Sequence, residues 1–202
     1  MDPNDEDIFK PPAFLNGPLF DTKGDWLEVA DLDWGEEYHY VEGYRAAARL
    51  TAKEAVKVQG DVDKYVYPVV VLYRHAIELL LKRVISYRET PETTHDLHDL
   101  WKTAVPIIEG EDAGIGPNDL IAVGKRMMEL HAKDKPATRF RYAYEGPNRK
   151  KTLKGGFNLA TFAERAESLC DVLDAWDTAI HEHRNWQYEM RAEYREYWEE
   201  YS

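Results

Sequence analysis

Residues 68–87 read PVVVLYRHAIELLLKRVISY, the longest nearly unbroken apolar run of a 202-residue chain, and the reading of this run decides the fold. As a helix its length of about 30 Å matches the width of a small domain. On a helical wheel Arg74, His75, Glu78, Lys82 and Ser86 gather on one narrow stripe, with Arg83 alone on the other side. A helix apolar almost all round belongs in the middle of a bundle. The charges within the run also make it a poor membrane span.

Toward the N-terminus, Val41, Tyr44, Ala48, Ala52, Ala55 and Val58 recur every three or four residues, which predicts a helix from about Trp34 to a stop at Gly60. Asp61 or Asp63 can cap the central helix, and Pro68 either opens it or kinks its first turn. Residues 1–33 mix acids, prolines and isolated Phe9, Phe14, Leu15, Phe20 and Trp26 without a period, so an extended arm with aromatics docked on the bundle is expected.

Toward the C-terminus, RETPETT reads as a loop with Thr94 as N-cap of a third helix bearing Leu97, Leu100, Trp101 and Ala104. Pro106 should end or bend that helix, and Pro117 suits the first turn of a fourth, with Leu120, Val123, Met127, Met128 and His131. RFRYAYE alternates and GPN is turn chemistry, predicting a short β-hairpin or flap near residues 138–154. Asn158 then caps a last helix with Leu159, Phe162, Ala166, Leu169, Leu173, Trp176 and Ile180 on one face. The expected fold is mainly α, an antiparallel helical bundle of about five helices with a short β-hairpin or flap before the last. It divides into an arm (1–33), the bundle (34–182) and a C-terminal helical extension (183–202). Trp186, Met190, Tyr194, Tyr197 and Tyr201 line that charged extension at three- or four-residue spacing, a stripe that needs either the chain's own arm or a second subunit.

Thirty-eight acidic against 26 basic residues leave a net charge of −12, which favours solubility and opposes wholesale attraction to nucleic acid or anionic membrane, while leaving room for a local basic site. Cys170 is the only cysteine, so one chain has neither a disulfide nor a thiolate–metal framework, and the cytoplasm is the expected compartment. MDPNDEDIFKPP lacks the basic-then-apolar order of a signal peptide, so the expected protein is soluble and not secreted. No Gly-rich phosphate loop, GxSxG elbow, HExxH or paired-carboxylate motif occurs, and no cofactor is expected.

The clearest anomaly in charge is the flap, where Arg139, Arg141, Arg149, Lys150, Lys151 and Lys154 face Glu145 alone; its net +5 leaves −17 on the rest. With Phe140, Tyr142 and Tyr144 interleaved, it offers cations to phosphates and stacking surfaces to bases, as a nucleotide or single-stranded RNA requires. Alternatively it neutralises acidic helices of its own chain or of a partner. Arg74, Glu78 and Lys82 have the i, i+4, i+8 spacing of an intrahelical ion chain, but on a central helix such charges are costly unless paired or opened to a cleft.

His95 and His98 open the third helix close enough to share a metal with His75. HDLH nevertheless lacks zinc-site spacing and helix-start residues bind free backbone groups, so no metal is assigned. Asp96 beside them suits the helix dipole. Arg126 and His131 in RMMELH supply a cation and a proton acceptor, the minimum for metal-independent RNA cleavage, although five helical steps set them about 140° apart.

YRHAIELLLKRVI, then THDLHDLW, then TRFRYAYE before a final amphipathic helix, resembles in order and spacing the HEPN superfamily of small helical bundles, over roughly residues 34–182. The likeness is to bacterial HEPN-like proteins of uncharacterised role that carry an arginine–tyrosine flap. It implies a helical bundle, frequent homodimerisation, and association with nucleotide or RNA biology, including toxin–antitoxin and phage-defence systems. Catalytic members carry an Arg-x4–6-His motif at the dimer cleft; Arg126 and His131 match it, with Met127 where the family has a polar residue. The resemblance also carries over Glu78, Lys82, His95, Asp96, Arg141 and Tyr142. The leading expectation is a dimeric nucleotide- or RNA-binding protein using Arg74, Glu78, Lys82, His95, Asp96, Arg139, Arg141, Tyr142, Lys150 and Lys151. The alternatives are an endoribonuclease built on Arg126 and His131, and a non-catalytic adaptor that takes a protein partner on its aromatic tail.

Overall fold

The computed structural model describes residues 36–58, 62–111, 113–135, 137–143, 153 and 155–200, with residues 20, 25, 27 and 30 of the preceding segment. The chain forms two units, Met1–Gly35 and Glu36–Ser202. In the first, the Leu27 N–H donates to Asp25 Oδ1 at 3.1 Å and Phe20 is exposed. Phe9, Phe14, Leu15 and Trp26, the aromatics and leucine of the expected arm, lie outside the described residues.

The second unit contains α1 (Glu37–Lys57), α2 (Val62–Ser86), α3 (Leu97–Gly110), α4 (Pro117–Lys133) and α5 (Leu159–Glu200). It is mainly helical, as the periodicity predicts. α2 packs on α1, α3 and α5, whereas α4 rests chiefly on α3. Val69, Val70, Tyr73, Ala76, Ile77, Leu80, Leu81, Val84 and Ile85 bury the apolar faces of α2, each of the larger ones stabilising the fold by about 1.5–3 kcal/mol.

Both interior prolines are carried through their helices. α2 begins at Val62, so Pro68 sits inside it, exposed in the second turn, where it removes one backbone donor and the helix continues past it. Pro106 does not end α3, which continues to Gly110. Ile107 and Ile108 are buried just beyond it, and together their burial offsets the roughly 3 kcal/mol that an interior proline costs. Asp96, rather than Thr94, caps α3: its carboxylate accepts from the backbone N–H groups of His98 and Asp99, while Thr94 Oγ1 accepts from the Asp96 N–H. Asn158 caps α5 as expected, its Oδ1 accepting from the Thr161 N–H at 2.9 Å.

No strand occurs among the described residues. Where alternation predicts one, the Thr138 carbonyl accepts from the N–H groups of both Arg141 and Tyr142, closing a helix-like turn instead. Phe140 is drawn inward against Tyr67, with ring centroids 6.2 Å apart, and this burial fixes the turn. Residues 144–152 and 154, the rest of the expected flap, lie outside the described residues.

α5 is clamped by arginines. Arg45 of α1 pairs with Glu167 at 2.7 Å and with Asp171, and Arg83 of α2 pairs with Asp174 at 3.2 Å and with Asp177. The Tyr73 hydroxyl donates to Glu167 Oε2 at 2.9 Å. Cys170 lies fully buried between these clamps, and burial pushes its thiol up to about 12.

Two glycines test the packing. A Cβ on Gly124 of α4 would stand 2.9 Å from Trp101 Nε1, whereas one on Gly43 of α1 would meet nothing within 4 Å. Gly124→Ala is expected to lower stability by about 1–3 kcal/mol and shift Trp fluorescence. Gly43→Ala is expected to raise stability by about 0.5–1 kcal/mol. Thermal melts followed by circular dichroism check both.

Candidate functional site

The polar stripe of α2 faces the start of α3 and the turn that leaves α4. Arg74 is 1% exposed. Its Nη2 donates to the His95 carbonyl at 2.7 Å and its Nε lies 3.4 Å from Asp134 Oδ2. Asp134, fully buried, is the C-cap residue of α4. An acid at that end opposes the helix dipole, so it has to be held by partners. Its Oδ1 accepts from the Arg139 N–H at 2.7 Å, and its carbonyl accepts from the Ala137 N–H at 2.8 Å. Ala137 adopts φ 55° in that turn, a left-handed conformation rarely taken by a residue with a Cβ.

One helical turn along, Glu78 is also 1% exposed, and its Oε1 accepts from Lys82 Nζ at 2.9 Å and from His95 Nδ1 at 2.8 Å. Burial alone would raise the Glu78 carboxyl, but the hydrogen bonds and charges of Lys82 and His95 outweigh it and hold the group below the usual glutamate range. α2 thus grips His95 twice, by backbone through Arg74 and by ring through Glu78. With Nδ1 so engaged, the ring remains 56% exposed. His75 stacks edge-on against Tyr44 at 4.4 Å, and burial pushes its imidazole below its ordinary value. The Arg141 charge adds a further downward push on both Arg74 and His75.

Seven buried side-chain atoms among the described residues have no hydrogen-bond partner. Six belong here: Arg74 Nε and Nη1, His75 Nδ1, Glu78 Oε2, His131 Nδ1 and Asp134 Oδ2. The Arg74–Asp134 approach at 3.4 Å is therefore an ion pair without a well-directed hydrogen bond. A buried polar atom with no partner at all costs about 1–3 kcal/mol, a cost that the ion pairs of Arg74 Nε with Asp134 and of His131 Nδ1 with Asp96 reduce. Donors and acceptors are both left over, side by side.

The structure does not bring Arg126 and His131 together. Arg126 is exposed and its Nη1 donates to both Glu129 carboxylate oxygens at 2.9 Å. His131 turns the other way, with Nδ1 3.4 Å from Asp96 Oδ1 and its ring 5.9 Å from that of His98. Asp96, His98 and Asp99 each bring one potential ligand atom within 4.8 Å of the others, but Asp96 is committed to capping α3 and the other two are exposed. Arg139 contributes its backbone N–H to Asp134, and its Nη1 reaches the Lys133 carbonyl at 3.4 Å. Tyr142 is exposed on the same turn. Lys150 and Lys151 lie outside the described residues.

Asp134 is the residue that spacing and motif missed. Its place directly after a helix C-terminus, where a carboxylate is disfavoured, is the feature that could have marked it. The chain matches no protein-family model, and comparison with curated proteins and with solved structures finds no significant match.

Two groups of this stripe lower stability on acidification. On acidification the unfolded chain protonates His75 near 6.5, above the depressed folded value, so stability falls from that pH downward. Glu78 repeats the effect below 4.5, because its folded carboxyl also holds its proton more weakly than the unfolded one. His75→Phe is expected to flatten the first fall. Glu78→Gln is expected to flatten the second while lowering stability at neutral pH. Urea midpoints measured from about pH 3 to about pH 8 check both.

Proposed function

We propose that the chain is a nucleotide- or RNA-binding protein of the HEPN-like kind, with its ligand seated where His95, Lys82 and Arg141 meet above Arg74 and Glu78. One observation carries the reading: the concentration of unsatisfied buried polar atoms along this one stripe. The fold gives Arg45 and Arg83 two carboxylates each but leaves this stripe short of partners, and that shortfall supports a polar ligand on the surface directly above it. A phosphate finds cations in Arg141 and Lys82, and a base finds a ring face in the exposed Tyr142. His95, held at ring and backbone, presents its remaining nitrogen in a fixed direction.

Fluorescence anisotropy with labelled single-stranded RNA, and competition by a nucleoside triphosphate, tests the proposal. The expected result is saturable binding that weakens at least about tenfold in Arg141→Ala, with the logarithmic salt slope reduced by about 0.7 for each phosphate no longer neutralised. His95→Ala is expected to weaken binding without changing that slope. If neither probe binds, or if both variants bind like the parent chain, the proposal fails.

A further inference from the structure

Arg184 of α5 reaches back to Glu111 at 3.1 Å and lies 5.4 Å over the Tyr87 ring. The helix then continues without a break to Glu200, about 24 Å further. On this stretch Trp186, Met190 and Tyr194 stand four residues apart on one face, 56%, 47% and 65% exposed, and Tyr197 continues their line. Spacings of four, four and three add up to the eleven-residue repeat that keeps an apolar stripe on one face of a nearly straight helix. The charges beside it are sorted by side. Glu189, Glu193 and Glu196 occupy one flank, and Arg191 and Arg195 the other.

We infer that this face pairs with the same face of a second copy of the chain, the two helices running parallel. In a parallel pair the two-fold axis lies along the helices, so the glutamate flank of each copy meets the arginine flank of the other on both sides of the seam. An antiparallel pair would set glutamate against glutamate and arginine against arginine, which is destabilising. Large aromatic anchors between charged rims also match the anatomy of a specific interface. This pairing is independent of the ligand proposal and involves none of its residues.

Sedimentation equilibrium on the full chain, over about a hundredfold range of concentration, reads the association directly. The expected result is a two-chain mass at the upper end. The Trp186→Glu/Tyr194→Glu double variant is expected to return to the one-chain mass while keeping a cooperative thermal transition, whose midpoint no longer depends on concentration. Met190→Cys is expected to form a disulfide-linked dimer on oxidation, since Cys170 is buried, and so is Tyr197→Cys, whose thiol an antiparallel pair centred on Met190 would hold about 20 Å from its own copy. A one-chain mass at every concentration overturns the inference. A dimer that survives the double substitution overturns it too, as does a dimer of the Met190→Cys or the Tyr197→Cys chain that fails to cross-link.

Discussion

A guanidinium sealed from water is the constraint on which this structure depends. Arg74 loses its hydration entirely, a loss of several kcal/mol, and recovers part of it from the His95 carbonyl and the Asp134 carboxylate. Those two partners belong to the start of α3 and the end of α4, so one side chain of the central helix fixes three segments of the chain. The His95 ring is then placed where Glu78 can hold it. The exposed surface is organised from the inside outward.

The arginines that clamp α5 show what a purely structural solution looks like in the same molecule. Arg45 and Arg83 each meet two carboxylates of α5, and only Arg45 Nε among their atoms lacks a hydrogen-bond partner. Those clamps hold one helix against two others. Along Arg74, His75, Glu78 and Asp134 the balance is reversed, with buried atoms outnumbering their partners. Those four residues carry five such atoms. Strain in the same turn, at Ala137, fits this contrast.

What could be read from sequence follows the range of the interactions involved. The apolar run, the cap at Asn158 and the proline at the start of α4 depend on neighbours a few residues away, and all were legible. Pro68 does not open α2 and Pro106 does not end α3, because burial of distant surfaces, not local backbone preference, decides whether a helix continues. Thr94 and Asp96 are both capping residues two positions apart, and the carboxylate takes two backbone N–H groups while the hydroxyl serves Asp96 itself. Phe140 alternates with its neighbours as a strand residue does, but it is buried on α2 from within a turn. The stripe on α2 was visible as a wheel pattern, and Glu78, Lys82 and His95 do meet. Its completion by Asp134 was not, because the two residues of that ion pair lie on separate helices far apart in sequence.

α5 is one uninterrupted helix from its cap at Asn158 to its end, and that continuity has a geometric consequence. The direction in which its far aromatic face points is set by counting residues from the clamps at Glu167 and Asp177. One residue inserted after Arg184 would swing that face through about 100°, whereas seven would carry it about 10 Å outward at nearly the same angle. The far end of the helix is thus indexed to the bundle by rotational phase, and a change of length there acts as a change of direction.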